Sequence, residues 1–435
     1  MNHIKQTHAF NKRDYTYSGA TSESIVGLFP DINTFILPKS IARDITQLLR
    51  YKKAYGTISN DHREAIELCL YFVSNLTSTI FREDDNYWKA LHSDILRSQN
   101  KNYKRVVELL KANNIIEVYE VNGEEVYTRN VKSKQYKLGD KYIKRLTSTY
   151  IIESRTIINI KSGLFYKTLN DTRNNPICDN LITIYPQITL PTVKQIKTEA
   201  KKLIKAGHTT NKGKILTVMN KHKRSYWKDA KNRSFVEESI ELFDYLTSRG
   251  LMLPAPGSWE SGGRVVDSFT LMPSWIRKMI KINGEQLVEA DYSCLHPNIA
   301  ETLYGGSRRH INHDIVSEYL GIDRKTAKIE HLSFFNKRWC QMQKSDLFKY
   351  YMDNEPLMME NIKQEKYNTS YKRTSQRLFK TEVGIMTEAI KELNENGVNA
   401  IYVYDALYVQ PEFEEITKFI MNKVIVNNNI NTKVG

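Results

Sequence analysis

The spacing of apolar residues along this chain changes period several times. Residues 1–40 are polar and irregular. From Ile41 to Phe81 the apolar positions recur at helical spacing, most densely in AIELCLYFVSNL. Tyr87-Trp88-Lys89-Ala90-Leu91 reads as the start of one helix. NYKRVVELLKANN reads as a second, with Val106, Val107 and Leu110 on one face. IIEVYEVNGEEVYTRNVKSKQYKL then alternates as strand, turn, strand. Its Asn122-Gly123 pair is a strong hairpin signal, because both residues accept positive φ. Residues 142–186 carry no period that supports an assignment. Residues 192–249 read as helical, ending in SFVEESIELFDYLTSRG with Gly250 as the stop. Beyond the loop PAPGSWESGGR, strand and helix patterns alternate to the last residue, and no internal repeat is evident.

Two of those late strand patterns carry an acid. LVEADYSCLHPNIA places Asp291 at the end of an apolar run, and NAIYVYDALYVQ places Asp405 between two alternating stretches. A carboxylate in a half-buried strand faces a desolvation cost of several kcal/mol, which a divalent cation commonly offsets. Two such strands side by side would hold both carboxylates on a pair of metals, as in phosphoryl-transfer enzymes.

Composition narrows the partners. The 435 residues allow two or three domains, and no apolar stretch is long enough to span a membrane. The first thirty residues lack a signal-peptide core, although their poverty in acids also fits a weak mitochondrial-type presequence. The four cysteines form no CxxC pair, which points to reduced thiols in a cytoplasmic protein, with neither zinc nor disulfides. The net charge of +15 is concentrated: Lys194–Arg233 holds 13 Lys/Arg against two acids. A solvated basic helix pair would have this composition. So would a surface that follows a phosphate backbone, with Tyr226 and Trp227 stacking on sugars or bases, and the clustering favours the latter.

Two resemblances follow from these motifs. Helix, helix and basic-tipped hairpin over about residues 84–140 resemble the winged-helix DNA-binding modules. That resemblance implies a recognition helix starting with Lys101, Lys104 and Arg105, and a wing carrying Arg129, Lys132 and Lys134. Residues 250–425 resemble the palm and fingers of family A (polymerase I type) nucleic-acid polymerases, relatives of the phage-type single-subunit RNA polymerases. The shared pattern is Gly263-Arg264, then Arg277, then Asp291-Tyr292-Ser293. Arg324-x-x-x-Lys328 follows on a fingers helix, and Asp405 lies on the second catalytic strand.

The resemblance implies an α+β right-hand polymerase: a palm with an antiparallel sheet, and helical fingers and thumb. The expected boundaries are 1–40 irregular, 41–150 helical and winged-helix-like, 151–250 connector and basic thumb-like region, and 251–435 palm and fingers. It implies Asp291, Asp405 and the Tyr292 carbonyl as ligands of two Mg²⁺ ions, with Mn²⁺ as an alternative. Arg324 and Lys328 would hold the triphosphate, Lys328 would also donate a proton, and His296 would face the sugar. Arg264, Arg277, Gln376 and Arg377 would contact DNA, as would Lys201, Lys202, Lys205, Lys221, Lys223 and Arg224 of the thumb-like tract.

The expected partners are a DNA primer-template, nucleoside triphosphates and replication accessory proteins, in a phage or mobile element and without a proofreading exonuclease. Three departures stand out. His296 occupies a position that is Glu in the DNA polymerases and Gly in the RNA polymerases. Ala406 stands where a third carboxylate is usual, and Asn336 where an aromatic is. They leave open a single-subunit RNA polymerase or primase-like enzyme. A catalytically inactive DNA-binding replication initiator is the reading from another class.

Overall fold

The computed structural model describes residues 27–51, 55–82, 86–127, 133–219, 229–258 and 261–435. The chain forms two compact units of mixed α and β structure. One comprises residues 30–170 and 241–250; the other takes in 171–240 and 251–435, with Leu28 and Phe29.

In the first unit, β1 (Thr34–Pro38) pairs antiparallel with β7 (Thr147–Ile151). Between them lie α1 (Ile41–Leu48), α2 (His62–Ser74), β2 (Lys89–Ala90), α3 (Ser93–Gln99), α4 (Tyr103–Ala112), β3 (Ile116–Val118), β4 (Glu120–Val121), β5 (Glu124–Glu125) and β6 (Gln135–Leu138). The segment expected to open a helix at Tyr87 instead supplies β2, which pairs with β6; the helix begins only at Ser93. Short apolar runs fit either state, and here an available strand edge decides. The β4–β5 hairpin turns at Asn122 (φ 55°) and Gly123 (φ 82°), as its sequence requires. Helix α2 is buried along nearly its whole length and centres the core, where Tyr245 stacks on Phe81 at 4.5 Å. Glu67 of α2 is fully buried and accepts N–H groups from Glu153 (2.8 Å) and Ser154 (2.9 Å), the latter at the start of α5 (Arg155–Arg173).

The second unit begins with α6 (Pro176–Ile184), β8 (Ile188–Thr189) and α7 (Val193–Lys205), which opens on a Thr192/Gln195 capping box. The tract read as continuous helix then breaks. β9 (Ile215–Thr217) and β10 (Arg233–Phe235) form a parallel pair before α8 (Val236–Thr247), a helix whose residues from Glu241 onward belong to the first unit. Next come β11 (Ala255–Pro256), β12 (Val265–Val266), α9 (Ser268–Leu271), α10 (Ser274–Arg277), β13 (Lys281–Ile282), β14 (Glu285–Gln286) and β15 (Val288–Asp291). The helices α11 (Leu295–Tyr304), α12 (His313–Leu320), α13 (Arg324–His331), α14 (Trp339–Met342), α15 (Leu347–Asn354), α16 (Pro356–Asn368) and α17 (Arg373–Glu395) follow. The hairpin of β16 (Ile401–Val403) and β17 (Ala406–Val409) and helix α18 (Glu414–Asn427) complete the unit.

Its central sheet has the order β15-β17-β16, entirely antiparallel. Helix α17 buries Leu378, Glu382, Ile385, Met386, Ala389, Ile390 and Leu393, a stripe at helical period with one charge in it. Gly397, at φ 75°, ends that helix as the Val398 N–H reaches back to the Leu393 carbonyl. No helix among the described residues is long and apolar enough to cross a membrane.

Glu67→Gln should cost the first unit about 1–3 kcal/mol, because one acceptor oxygen becomes an N–H₂ facing backbone donors. Urea unfolding followed by circular dichroism checks this; an unchanged midpoint would contradict it.

Candidate active site

Register builds the site. Val288, Glu289, Ala290 and Asp291 stand opposite Val409, Tyr408, Leu407 and Ala406. Asp291 therefore ends its strand beside the β16–β17 turn, whose two residues are Tyr404 and Asp405. Only the first of these has positive φ (Tyr404, 60°), the pattern of a type II′ turn. A tyrosine held there is strained, and the flanking strand pairs fix it in place. The Tyr292 N–H donates to the Asp405 carbonyl at 3.3 Å, tying the two acid-bearing segments together.

Both acids open into a cavity of about 910 Å³, lined also by Glu289, Arg277, Tyr404 and Lys328. Asp291 keeps an exposed side toward it. Limited water within the cleft, the charge of Asp405 and that of Glu289 push the Asp291 carboxyl well above the ordinary range, while Lys328 pulls it back. Asp405 is raised as well, by burial and by Glu382, with His296 and Arg264 opposing. Two carboxylates that resist ionising side by side suit a divalent cation with hard oxygen ligands. Among the described residues no group of three or more His, Cys, Asp or Glu is arranged to hold a metal.

The expected residues fall into three groups. Lys328 of α13 reaches the acids' cavity, as does Arg277. Arg277 is almost fully buried; its Nε and Nη1 have no partner among the described residues, and its guanidinium lies 5.7 Å from the Tyr408 ring centre. Arg324 is instead paired with Asp314 at 2.8 Å and does not line the cavity. The Tyr292 side chain is buried and donates to the Met421 carbonyl at 2.9 Å, leaving only its backbone for the cleft.

Arg264 and His296 meet on one buried acid of α17. Glu382 is fully buried; it accepts from Arg264 Nε at 2.7 Å and lies 2.6 Å from His296 Nε2. Burial alone would raise its pKa, but the hydrogen bonds and charges of His296 and Arg264 prevail and hold it low. The Arg264 guanidinium also lies over Phe379 (3.9 Å) and Tyr404 (4.9 Å). Gly262 makes this approach possible: a Cβ there would sit 2.5 Å from the Lys380 nitrogen of α17.

The nucleic-acid candidates are more scattered. Arg377 pairs with Glu365 at 2.9 Å, and Gln376 is half-buried beside it. Lys201, Lys202 and Lys205 project from α7, with Lys202 near Glu199 at 3.3 Å. Lys221, Lys223, Arg224, Tyr226 and Trp227 lie outside the described residues, as do Arg129 and Lys132. In the first unit Lys101 and Lys104 are exposed, Arg105 donates to the Thr57 carbonyl at 2.8 Å, and Lys134 is paired with Glu125. Sequence reasoning missed Glu289, although its place two residues before Asp291 puts it on the same strand face. Its carboxylate accepts the Tyr408 hydroxyl at 2.5 Å.

No family model matches the chain. Nor does any curated protein. Among solved structures, the polymerase domain of Pol1 from M. smegmatis, in complex with DNA primer-template and dNTP, is distantly similar at 11% identity. The match covers 64% of this chain and 73% of that one, with a TM-score of 0.38.

The raised carboxyls give a pH signature. A folded-state pKa above the unfolded one contributes stability that is complete below the ordinary carboxylate range and is lost as pH rises through the raised values. In chelator, Asp291→Asn or Asp405→Asn should therefore melt about 1–3 °C above the parent at neutral pH and converge with it below about pH 4. Adding Mg²⁺ should raise the parent alone. Glu382→Gln should move the other way, losing about 3 kcal/mol at neutral pH as Arg264 is left without its charge partner. Calorimetry across pH checks all three variants.

Proposed function

We propose that this chain is a template-directed nucleotidyltransferase of the polymerase I type, extending a DNA primer by a two-metal mechanism. The observation that carries the reading is the meeting of Asp291 and Asp405 at the open end of one antiparallel sheet, in a cavity that also receives Lys328. Bound divalent cations would activate the attacking oxygen and neutralise the leaving one. Asp291 and Asp405 would hold those ions, and the Tyr292 carbonyl would add a ligand.

A primer 3′-hydroxyl attacks the α-phosphorus, forming the new P–O bond as the bond to pyrophosphate breaks. The hydroxyl proton leaves to solvent, and Lys328 gives a proton to the pyrophosphate. With Arg324 held by Asp314, Lys328 grips the triphosphate from α13. Arg277 offers its unpartnered nitrogens to a phosphate in the same cleft.

Helix α7 presents Lys194, Lys197, Lys201 and Lys205 at helical spacing, a face suited to a duplex backbone. In the first unit, the order α2, β2, α3, α4, β3, hairpin, β6, with β6 between β2 and β3, supports a winged-helix reading and a DNA-recruiting role. A ribonucleotide-using version is the second reading. His296 stands where the DNA polymerases carry Glu, and with its Nε2 engaged by Glu382 its other ring nitrogen is the one that could meet a sugar hydroxyl.

Primer extension with Mg²⁺, supplying deoxy- and ribonucleotides separately, tests both. Extension is expected with deoxynucleotides. Asp291→Ala and Asp405→Ala should each abolish it, by at least about 10³-fold, and Lys328→Ala should slow it about 10²-fold, with primer-template binding retained throughout. Exclusive ribonucleotide incorporation would transfer the assignment to the second reading. A wild-type chain that binds DNA but extends nothing with Mg²⁺ or Mn²⁺ would leave only a DNA-binding initiator.

A further inference from the structure

One wall of the cavity comes from a stretch that was expected to be helical. After α7 the chain turns back on itself between His208 and Leu216. Thr209 and Ile215 form an antiparallel bridge, the Thr210 N–H donates to the Lys214 carbonyl (2.8 Å), and the Leu216 N–H donates to that of His208 (3.0 Å). This small hairpin docks on α13, the helix that carries Lys328. Lys325 Nζ donates to Thr209 Oγ1 at 3.0 Å, and Gly213 lies so close to Ile329 that an added Cβ would be 3.1 Å from Ile329 Cδ1.

Lys325 and Ile329 are four residues apart and so form one stripe of α13. Lys328 belongs to the neighbouring stripe, which faces the cavity. Docking the first stripe therefore sets the rotation of the helix and with it the aim of Lys328. At the root of the hairpin, His208 lines the same cavity, and its Nε2 is buried without a partner among the described residues. A buried imidazole nitrogen with nothing to bond is costly unless a ligand satisfies it. Lys328 and the buried, partly unpartnered Arg277 in the same cavity make an anion the fitting ligand.

We propose that the Thr209–Ile215 hairpin is a positioning element for the incoming nucleotide. Docked on α13, it aims Lys328 at the acids and brings His208 in as a second donor to a phosphate of a nucleoside triphosphate. The proposal rests on the nucleotidyltransferase reading and names a further part of its substrate site.

The test uses the full chain, with His208→Ala, Lys325→Met and the double variant. Single-nucleotide extension gives the nucleotide KM, and equilibrium dialysis with a labelled nucleoside triphosphate and Mg²⁺ gives its Kd. Primer-template affinity is measured separately, and hydrogen exchange is followed over residues 209–216. His208→Ala should raise the nucleotide KM and Kd roughly ten-fold while primer-template affinity stays within about two-fold. Lys325→Met should raise them about three-fold and speed exchange in the hairpin. The double variant should fall short of the product of the two effects, because both act on one element.

Unchanged nucleotide constants in both single variants, with a wild type that extends primers, would overturn the hairpin's role and leave the enzymatic reading standing. A loss confined to primer-template affinity would overturn it too, assigning the histidine to a strand phosphate. A wild type that neither binds nor incorporates nucleotides would remove the reading and the proposal together.

Discussion

The register between β15 and β17 is the constraint on which the site depends. It sets Asp291 opposite Ala406 and therefore next to Asp405 at the adjoining turn. Because strand side chains alternate with period two, a slip of one residue would turn Asp291 into the core and bring Ala290 to the cleft. The hydrophobic burial of Ala290, Leu407 and Val409 opposes such a slip. The same pairing that holds the sheet together thus brings two acids side by side, where each disfavours the other's charge. Their electrostatic discomfort follows directly from the pairing.

Around that pair the structure keeps its remaining charges under tight control. Glu382, alone among the apolar residues on the buried stripe of α17, is compensated from two sides by Arg264 and His296. Removing either partner leaves a buried anion short of support, so His296 is fixed in orientation by the needs of Glu382 whatever it does to a substrate. Tyr404, strained at the turn, packs against the Arg264 guanidinium. Strain, cation and buried acid form one connected block behind Asp405.

Much of this was legible in the sequence, and the failures have identifiable causes. Alternation around Asp291 and Asp405 marked both strands, and Asn122-Gly123 marked its hairpin. The Glu382 cluster was not legible, since its members sit at 264, 296 and 382 and only the folded chain brings them together. The strand at Lys89–Ala90 was read as helix because a two-residue strand has no period of its own; β6 creates it. The β9–β10 pair was missed for the same reason: each strand is three residues long, and they pair in parallel across an intervening stretch. Spacing put Arg324 and Lys328 on one helix, but it could not show that Arg324 forms a surface pair with Asp314 while Lys328 lines the cavity.

The path of the chain between its two units has a consequence for how the protein can be divided. Residues 241–250 return to complete the unit that residues 30–170 begin, and Tyr245 covers Phe81 there. A single scission near residue 170 would release an amino-terminal fragment with an uncovered aromatic face in its interior, prone to clump. Neither unit is thus a continuous stretch of chain that one cut would separate whole.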